Sequence, residues 1–361
     1  RTWRGKGLPR QPFYRMETDM INRLVWMETD NTYPYRNLAM EEYMTLHVPQ
    51  GTCILYLWQN RHTVVIGKNQ NCWRECRVNF LEQENGYLVR RLSGGGAVFH
   101  DLGNLNFTFI VGAGDYDVSR QLDVILEAVR SLGIHAEKTG RNDITVDGRK
   151  FSGNAFYRTG DGCYHHGTIL IRADKENMSR YLNVSKEKLA SKGVTSVKSR
   201  VANLCEFKPD ITLEEVKSAL VKAFSKVYGQ PAVRMEEGEL PQPDIDARTE
   251  KFASWQWKYG RKIPFEYEME KRFPWGNIQI QFHVDEGMIQ DVNVFSDAMD
   301  QEMIGMLAEQ LKGCAYAEED ICRAVKVVGT DAFQAGEYTG ADEPQSCRIK
   351  EDIMTLVRES L

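Results

Sequence analysis

No apolar run in this chain approaches the length of a membrane-spanning helix, and the N-terminal stretch shows no apolar segment of the secretory-signal kind. The expectation is a cytoplasmic protein with no membrane partner. There is no C-x-x-C pair either. Eight cysteines lie scattered at positions 53, 72, 76, 163, 205, 314, 322 and 347. Cys72 and Cys76 are four apart, but no second pair of ligands stands nearby, so reduced thiols are a better reading than zinc. Positive charge is not in excess. The formal net charge of −5 argues against nucleic acid as the main partner. No G-x-x-x-x-G-K-[ST] occurs and no G-x-G-x-x-G opens a helix, so neither common nucleotide loop is present. No Ser-His-Asp or Cys-His site is visible. The only internal repeat is a duplicated Met-Glu-Thr-Asp at 16–19 and 27–30, attributed to chance.

What the chain does have is length and an ordinary globular composition. Its 361 residues are 42% hydrophobic and 27% charged, enough to bury a large core and to form two domains. Its most informative segment is RRLSGGGAVFHDLGNLNF at 90–107. Three glycines separate two strand-like pieces. Such a stretch accommodates a close approach to its backbone or a turn through positive φ. Arg90, Arg91, Ser93 and the bare N–H groups suggest an anion as the visitor. A hairpin turn without a ligand is the plainer alternative. Leu105, Phe107, Phe109 and Val111 then alternate onto one strand face.

Residues 140–171 hold the second informative segment. Asp147-Gly148 between Ile-Thr-Val and Arg-Lys-Phe is a two-residue hairpin signal. That turn pairs Val146 with Arg149, Thr145 with Lys150, Ile144 with Phe151 and Asp143 with Ser152. Alternation puts Asp143, Thr145, Lys150 and Ser152 on one face, and Ile144, Val146 and Phe151 toward a core. The plain alternative is a solvated face with an ordinary ion pair. His165 and His166 are adjacent on a strand, so at most one of them enters any site.

Elsewhere the pattern gives a first strand at Ile21–Trp26, a helix over 37–46, two strands within 52–66 and a helix over 118–132 stopped by Gly133. Thr212-Leu-Glu-Glu215 is a capping box for a helix that stops at Gly229. The charged, proline-bearing stretch 235–247 is the best linker. Beyond it come a hairpin turning at Asp285-Glu-Gly287 and helices near 300–312, 316–328 and 348–360. The expected division is a tail at 1–19, a catalytic unit at 20–247 and an accessory unit at 248–361, with 331–361 a possible extra tail. Five basic residues precede the first acid, Glu17, in that first tail.

Taken together, the motifs resemble the lipoate–protein ligase A family. They are RR-x-SGGGAVFHDLGN (90–104), GRND (140–143), G-RK-x-SG-x-A (148–155), HHGT (165–168), NLA-x-EE (37–42), LW-x-N-x-x-TVVIG (57–67) and KG-x-TSV-x-SRV-x-NL (192–204). The resemblance covers roughly residues 20–330 and implies an α+β fold. Its large catalytic domain is built on mixed or antiparallel sheets flanked by helices, as in biotin and lipoate ligases, and is followed by a small α+β C-terminal domain. The implied reaction is ATP-dependent ligation of lipoate to a protein lysine through lipoyl-adenylate, with Mg²⁺. The implied acceptors are lipoyl domains of 2-oxoacid dehydrogenase E2 subunits or the glycine-cleavage H protein, and the expected state is a monomer. An ATP-independent acyltransferase of the same fold and a non-catalytic binder of lipoate or biotin type are the alternatives.

By position in the motifs, Lys150 is the expected catalytic residue. Asp143 would orient it or ligate Mg²⁺. Arg91, Ser93 and Gly94, Gly95 and Gly96 would line the acyl-adenylate junction. Phe99, Asn104, Asn142 and Ala155 match nucleotide positions. Glu41, Tyr56, Trp58, Val98, His100 and His166 match positions around the lipoyl chain. The basic stretch Lys186–Arg200 matches a mobile loop that covers the adenylate, with the acceptor's docking patch as a second reading.

Overall fold

The computed structural model describes residues 21–139, 143–183, 201–329 and 345–361. Asn142, the stretch 186–200 and the tail 1–19 therefore lie outside the described residues, as do positions 331–344.

The strands are β1 (Arg23–Glu28), β2 (Thr52–Trp58), β3 (Thr63–Ile66), β4 (Tyr87–Arg90), β5 (Val98–His100), β6 (Asn104–Gly112), β7 (Glu137–Thr139), β8 (Asp143–Val146), β9 (Arg149–Arg158), β10 (Gly162–Leu170), β11 (Ala232–Arg234), β12 (Tyr267–Phe273), β13 (Gly276–Asp285) and β14 (Met288–Ser296). The helices used below are α1 (Pro34–Leu46), α2 (Cys72–Glu75), α3 (Val118–Ser131), α4 (Leu213–Tyr228), α5 (Gln242–Ala253), α6 (Trp255–Tyr259), α7 (Gln301–Leu311), α8 (Glu318–Val327) and α9 (Gln345–Ser360).

A mixed eight-stranded sheet runs in the order β11-β1-β2-β6-β10-β9-β8-β7. Strand alternation sorts its side chains onto two faces. Cys53, Leu55 and Leu57 of β2 and Leu105, Phe107 and Phe109 of β6 pack beneath α3 and α4. Ile54, Tyr56 and Trp58 face the other way, toward α1 and a three-stranded sheet β4-β3-β5. Helix α4 begins at the Thr212/Glu215 capping box and ends on Gly229 in left-handed geometry, φ 73°.

A separate core is formed by the meander β12-β13-β14 with α7, α8 and α9. The stretch expected as a linker is structured. β11 adds a parallel edge strand to β1, and α5 packs on α1, where Arg248 and Lys251 reach the Glu42 carboxylate at 3.0 and 2.6 Å. Trp257 of α6 donates to the Arg90 carbonyl at 2.8 Å. β11, α5 and α6 therefore pack against the large unit. Among the described residues, no helix is long and apolar enough to cross a membrane.

One register differs from the sequence reading. Asp147 and Gly148 do turn the hairpin, with φ 50° and 71°, and Thr145 does pair with Lys150. The pairing then slips between Ile144 and Thr145, so that Ile144 faces Ser152 and Asp143 faces Gly153. An extra residue in one strand shifts every later pair. Ser152 consequently shares Ile144's buried environment instead of standing beside Lys150.

Candidate active site

Two cross-strand rows carry the polar residues on the α1 side of the large sheet. Pairing sets Tyr56 opposite Thr108, Thr108 opposite His166 and His166 opposite Ala155. Two residues along, Trp58 faces Asn106 and Asn106 faces Thr168. A side-chain period of two keeps both rows on one face.

Trp58, Asn106, Thr168, His166 and Ala155 of these rows line a cavity of about 260 Å³. Leu38, Trp58, Val65 and Val98 wall one end, where the first three are at most 3% exposed. Lys150, Arg272 and Asp297 stand at the other, where the Lys150 and Arg272 side chains retain 21% and 26% exposure. One end is thus enclosed and apolar, the other open and charged. Arg91, Gly95, Gly96, His100, Asn154, Ala155, His166 and Thr168 line the space between.

Behind this lining runs a continuous set of hydrogen bonds. Trp58 Nε1 donates to Thr108 Oγ1 (3.0 Å), which donates to Glu41 Oε1 (2.7 Å). His166 Nδ1 meets the same Glu41 oxygen at 2.9 Å, and its Nε2 meets Ser93 Oγ at 2.8 Å. A carboxylate at Nδ1 requires the proton there, so Nε2 accepts from the serine. Arg91 Nε donates to Ser93 Oγ at 3.0 Å. Ser93, His166 and Glu41 thus have the connectivity of a Ser–His–carboxylate triad, which the sequence reading missed because the three lie far apart in the chain. Ser93 is fully buried, and its oxygen already accepts from Arg91. The set fixes side chains in place and does not present a nucleophile. His165 faces the other side, held by Gln121 and Asn154 at 3.1 and 2.8 Å. Burial drives the pKa of both His165 and His100 down to about 3, so both rings are neutral near pH 7.

The two arginines of the glycine motif do unexpected work. Arg90 donates to the carbonyls of Gly67, Lys68, Gln70, Trp257 and Lys258. Besides Ser93, Arg91 donates to the carbonyls of Val65, Gly94 and Gly96. Both are buried, and desolvation lowers their pKa to about 10 without discharging them. They organise the loop. Gly95 takes positive φ (87°), and a Cβ on Gly94 would lie 2.4 Å from the Ala298 carbonyl oxygen. The close visitor to Gly94 is therefore the backbone of the C-terminal unit. Ala298 also accepts from Gly95 N at 3.0 Å.

The lining includes Lys150, Arg91, Gly95, Gly96, Ala155, Trp58, Val98, His100 and His166 of the residues singled out from sequence. Ser93, Glu41 and Tyr56 stand behind it. Tyr56 stacks on Trp58 with ring centroids 5.9 Å apart. Gly94 meets Ala298, and Asp143 holds Lys150 Nζ at 2.6 Å. Phe99 and Asn104 do not line this cavity. Phe99 alternates with Val98 and His100 on β5, so it points away from the cavity and packs on Tyr181 and His62. Asn104 is fully buried beside Asn106, to which it donates at 2.9 Å. Asn106 and Thr168 were missed although each lies two residues from a row neighbour. Arg272, Asp297 and Met299 come from the C-terminal unit and had no local signal. Cys163 is fully buried, burial raises its thiol pKa, and Arg158 Nε lies 3.4 Å from its sulfur. It is not a presented nucleophile.

An eight-stranded mixed sheet flanked by helices, with a pocket opening on a lysine, defines an enzyme of the lipoate-ligase fold. The chain belongs to the lipoyl protein ligase A/B family, whose catalytic-domain profile matches residues 33–225, and the bacterial lipoate protein ligase C-terminus profile matches residues 262–341. Plasmodium falciparum LipL1, solved in complex with lipoate, is 28% identical, with a TM-score of 0.76 over 92% of this chain and 99% of that one. A bi-partite lipoate protein ligase of Thermoplasma acidophilum, described with its E2 lipoyl domain, is 26% identical, with a TM-score of 0.58 over 68% of this chain and 99% of that one. A lipoate-protein ligase A bound with ATP is 24% identical, with a TM-score of 0.57 over 67% and 99%, and shares the fold.

Proposed function

We propose that the enzyme activates lipoate with ATP, forming lipoyl-adenylate and pyrophosphate, and then transfers the lipoyl group to a lysine of a lipoyl domain. The observation that carries this reading is the polarity of one cavity, closed and apolar at Trp58 and charged at Lys150. The chain takes its acyl substrate tail-first toward Trp58, with the carboxylate at Lys150. A carboxylate is ionised at neutral pH, so its attack on the α-phosphorus needs no general base. It needs proximity and neutralisation of the charge that develops. Lys150, held by Asp143 at 2.6 Å, meets the second need. In the second step the acceptor amine attacks the carbonyl carbon of the mixed anhydride, and AMP departs.

The lipoate complex of LipL1, the ATP complex of the ligase A relative and the archaeal ligase studied with its E2 lipoyl domain support lipoate, ATP and a lipoyl-domain acceptor. Mg²⁺ commonly takes one or two protein carboxylates and completes its shell with phosphates and water. Asp143 fits that share. Among the described residues no three-ligand cluster stands ready without nucleotide. When bound, Mg²⁺ would add to the charge neutralisation on the phosphates.

The test is pyrophosphate release from ATP with and without lipoate and acceptor domain. Lipoate-dependent release without acceptor, followed by AMP release with it, is the expected result. Acyl transfer that proceeds without any nucleotide would overturn the reading.

A further inference from the structure

We propose that the polar cavity between the two units holds the polyphosphate end of the nucleotide, and that Arg272 is its principal anion-binding side chain. The proposal rests on the adenylate-forming reading above and assigns a site for its leaving group. The reacting carboxylate oxygen forms a bond to the α-phosphorus. The bond from that phosphorus to the oxygen bridging to the β-phosphorus breaks, and pyrophosphate leaves with the electron pair. No proton moves. The departing group is a polyanion, and an in-line displacement sends it away from the acyl chain.

The two arginines of the glycine motif give most of their donors to the protein itself. Arg90 and Arg91 direct their guanidinium groups to backbone carbonyls and Ser93, and both are buried. Arg272, on β12 of the C-terminal unit, is differently placed. Its contact with Asp297 is an ion pair at 3.6 Å, and it donates no hydrogen bond among the described residues. It lines the charged mouth of the acyl cavity and also a second cavity of about 470 Å³. The two cavities share only Arg272 and Asp297, so the second lies beyond the mouth from Trp58.

The second cavity is polar. Arg74 and Lys271 add cations, and Asn71, Asn277 and Gln279 add amide groups. Acids line it too. Arg74 pairs with Glu270 at 2.7 Å, and Lys271 pairs with Glu359. Glu270 also accepts from Asn277 at 3.0 Å, so it keeps a partner when Arg74 turns to a phosphate. Exchange of carboxylate for phosphate oxygens lets the cavity take a polyanion without leaving a bare buried charge. Arg74 belongs to α2 of the large unit and Arg272 to the C-terminal unit. The subsite therefore exists only while the two are docked, as they are through Gly95 N to Ala298 O (3.0 Å), Ser296 N to Asn69 O (2.9 Å) and Asn69 Nδ2 to Gln301 O (2.7 Å).

The first measurement is calorimetric titration of the full chain with inorganic pyrophosphate, which needs neither lipoate nor turnover. Pyrophosphate should bind and compete with ATP. Arg272→Gln should weaken it about 10- to 100-fold, the usual weight of hydrogen bonds to a charged group. Arg74→Gln provides a second variant from the other unit and should weaken it in the same direction. Unchanged pyrophosphate affinity in both variants overturns the proposal. The second measurement separates the half-reactions. Arg272→Gln should raise the KM for ATP and slow pyrophosphate exchange far more than it slows transfer from preformed lipoyl-adenylate, with partial recovery in Arg272→Lys. Equal loss in both half-reactions would make Arg272 a docking residue only and overturn the proposal. Arg272-dependent pyrophosphate binding in an enzyme that forms no adenylate would uphold the subsite while removing the proposed activity.

Discussion

Around Arg91 every neighbour is an acceptor already engaged, from Ser93 Oγ to the carbonyls of Val65, Gly94 and Gly96. At the other end of the same cavity, Lys150 pairs with Asp143 and Arg272 with Asp297, and the two cations keep a fifth to a quarter of their side chains exposed. All three are cations within one site, yet burial divides their labour. A buried cation bonded to several carbonyls shapes backbone, because moving it would strand them at once. A half-exposed cation keeps capacity for a ligand. The lesson is that an arginine beside a glycine loop is not thereby a phosphate ligand, and that its hydrogen-bond inventory decides.

The comparison predicts opposite phenotypes at the two ends. Arg91→Met should cost on the order of 2–3 kcal/mol of stability, because it strands buried carbonyls that the guanidinium satisfies, and denaturant unfolding will measure it. A small loss would mean the loop does not depend on Arg91. The neutral buried histidines give a second stability test. Folded pKa values of about 3 for His100 and His165 lie below the unfolded value. The unfolded chain therefore binds more protons below about pH 6.5, and stability is complete above that pH and falls toward pH 3. From pH 7 to pH 5 each ring should contribute a loss of about 2 kcal/mol. Identical urea midpoints at the two pH values would contradict this.

At the open end, Lys150→Ala should slow adenylate formation roughly a hundredfold or more and leave unfolding nearly unchanged. Normal pyrophosphate release by that variant would remove Lys150 from the chemistry. Gly94→Ala places a Cβ against the Ala298 carbonyl and should loosen the contact between units. Faster hydrogen exchange at the Gly95 amide is the readout, and unchanged exchange would show that the close approach does not need glycine. The smallest effect belongs to Trp58→Val. The shortened side chain should admit a bulkier carboxylic acid than wild type accepts. If only stability changes, Trp58 is a core residue whose edge happens to meet the cavity.

Much of this was legible in the residues. The period-two pattern of β6, the Asp147-Gly148 turn and the Thr212 capping box are local signals, and the structure has each of them. Adjacent histidines on one strand had to face opposite ways, and they do. Phe99 obeys the same rule: its neighbours Val98 and His100 line the cavity, and its own ring packs on Tyr181 and His62. The slip at Ile144/Thr145 was not readable, because a bulge is decided by what packs on both faces of the hairpin.

Sequence by itself determined the elements, the family and the lysine on its hairpin, because turns, caps and alternation act over a few residues and motifs survive as strings. It could not determine where the motif arginines point, that Ser93, His166 and Glu41 join in one hydrogen-bonded line, or that Arg272 and Asp297 from the C-terminal unit complete the mouth. Those depend on contacts between residues tens to hundreds of positions apart, and on which N–H groups remain without acceptors after packing. Only the tertiary structure carries that information.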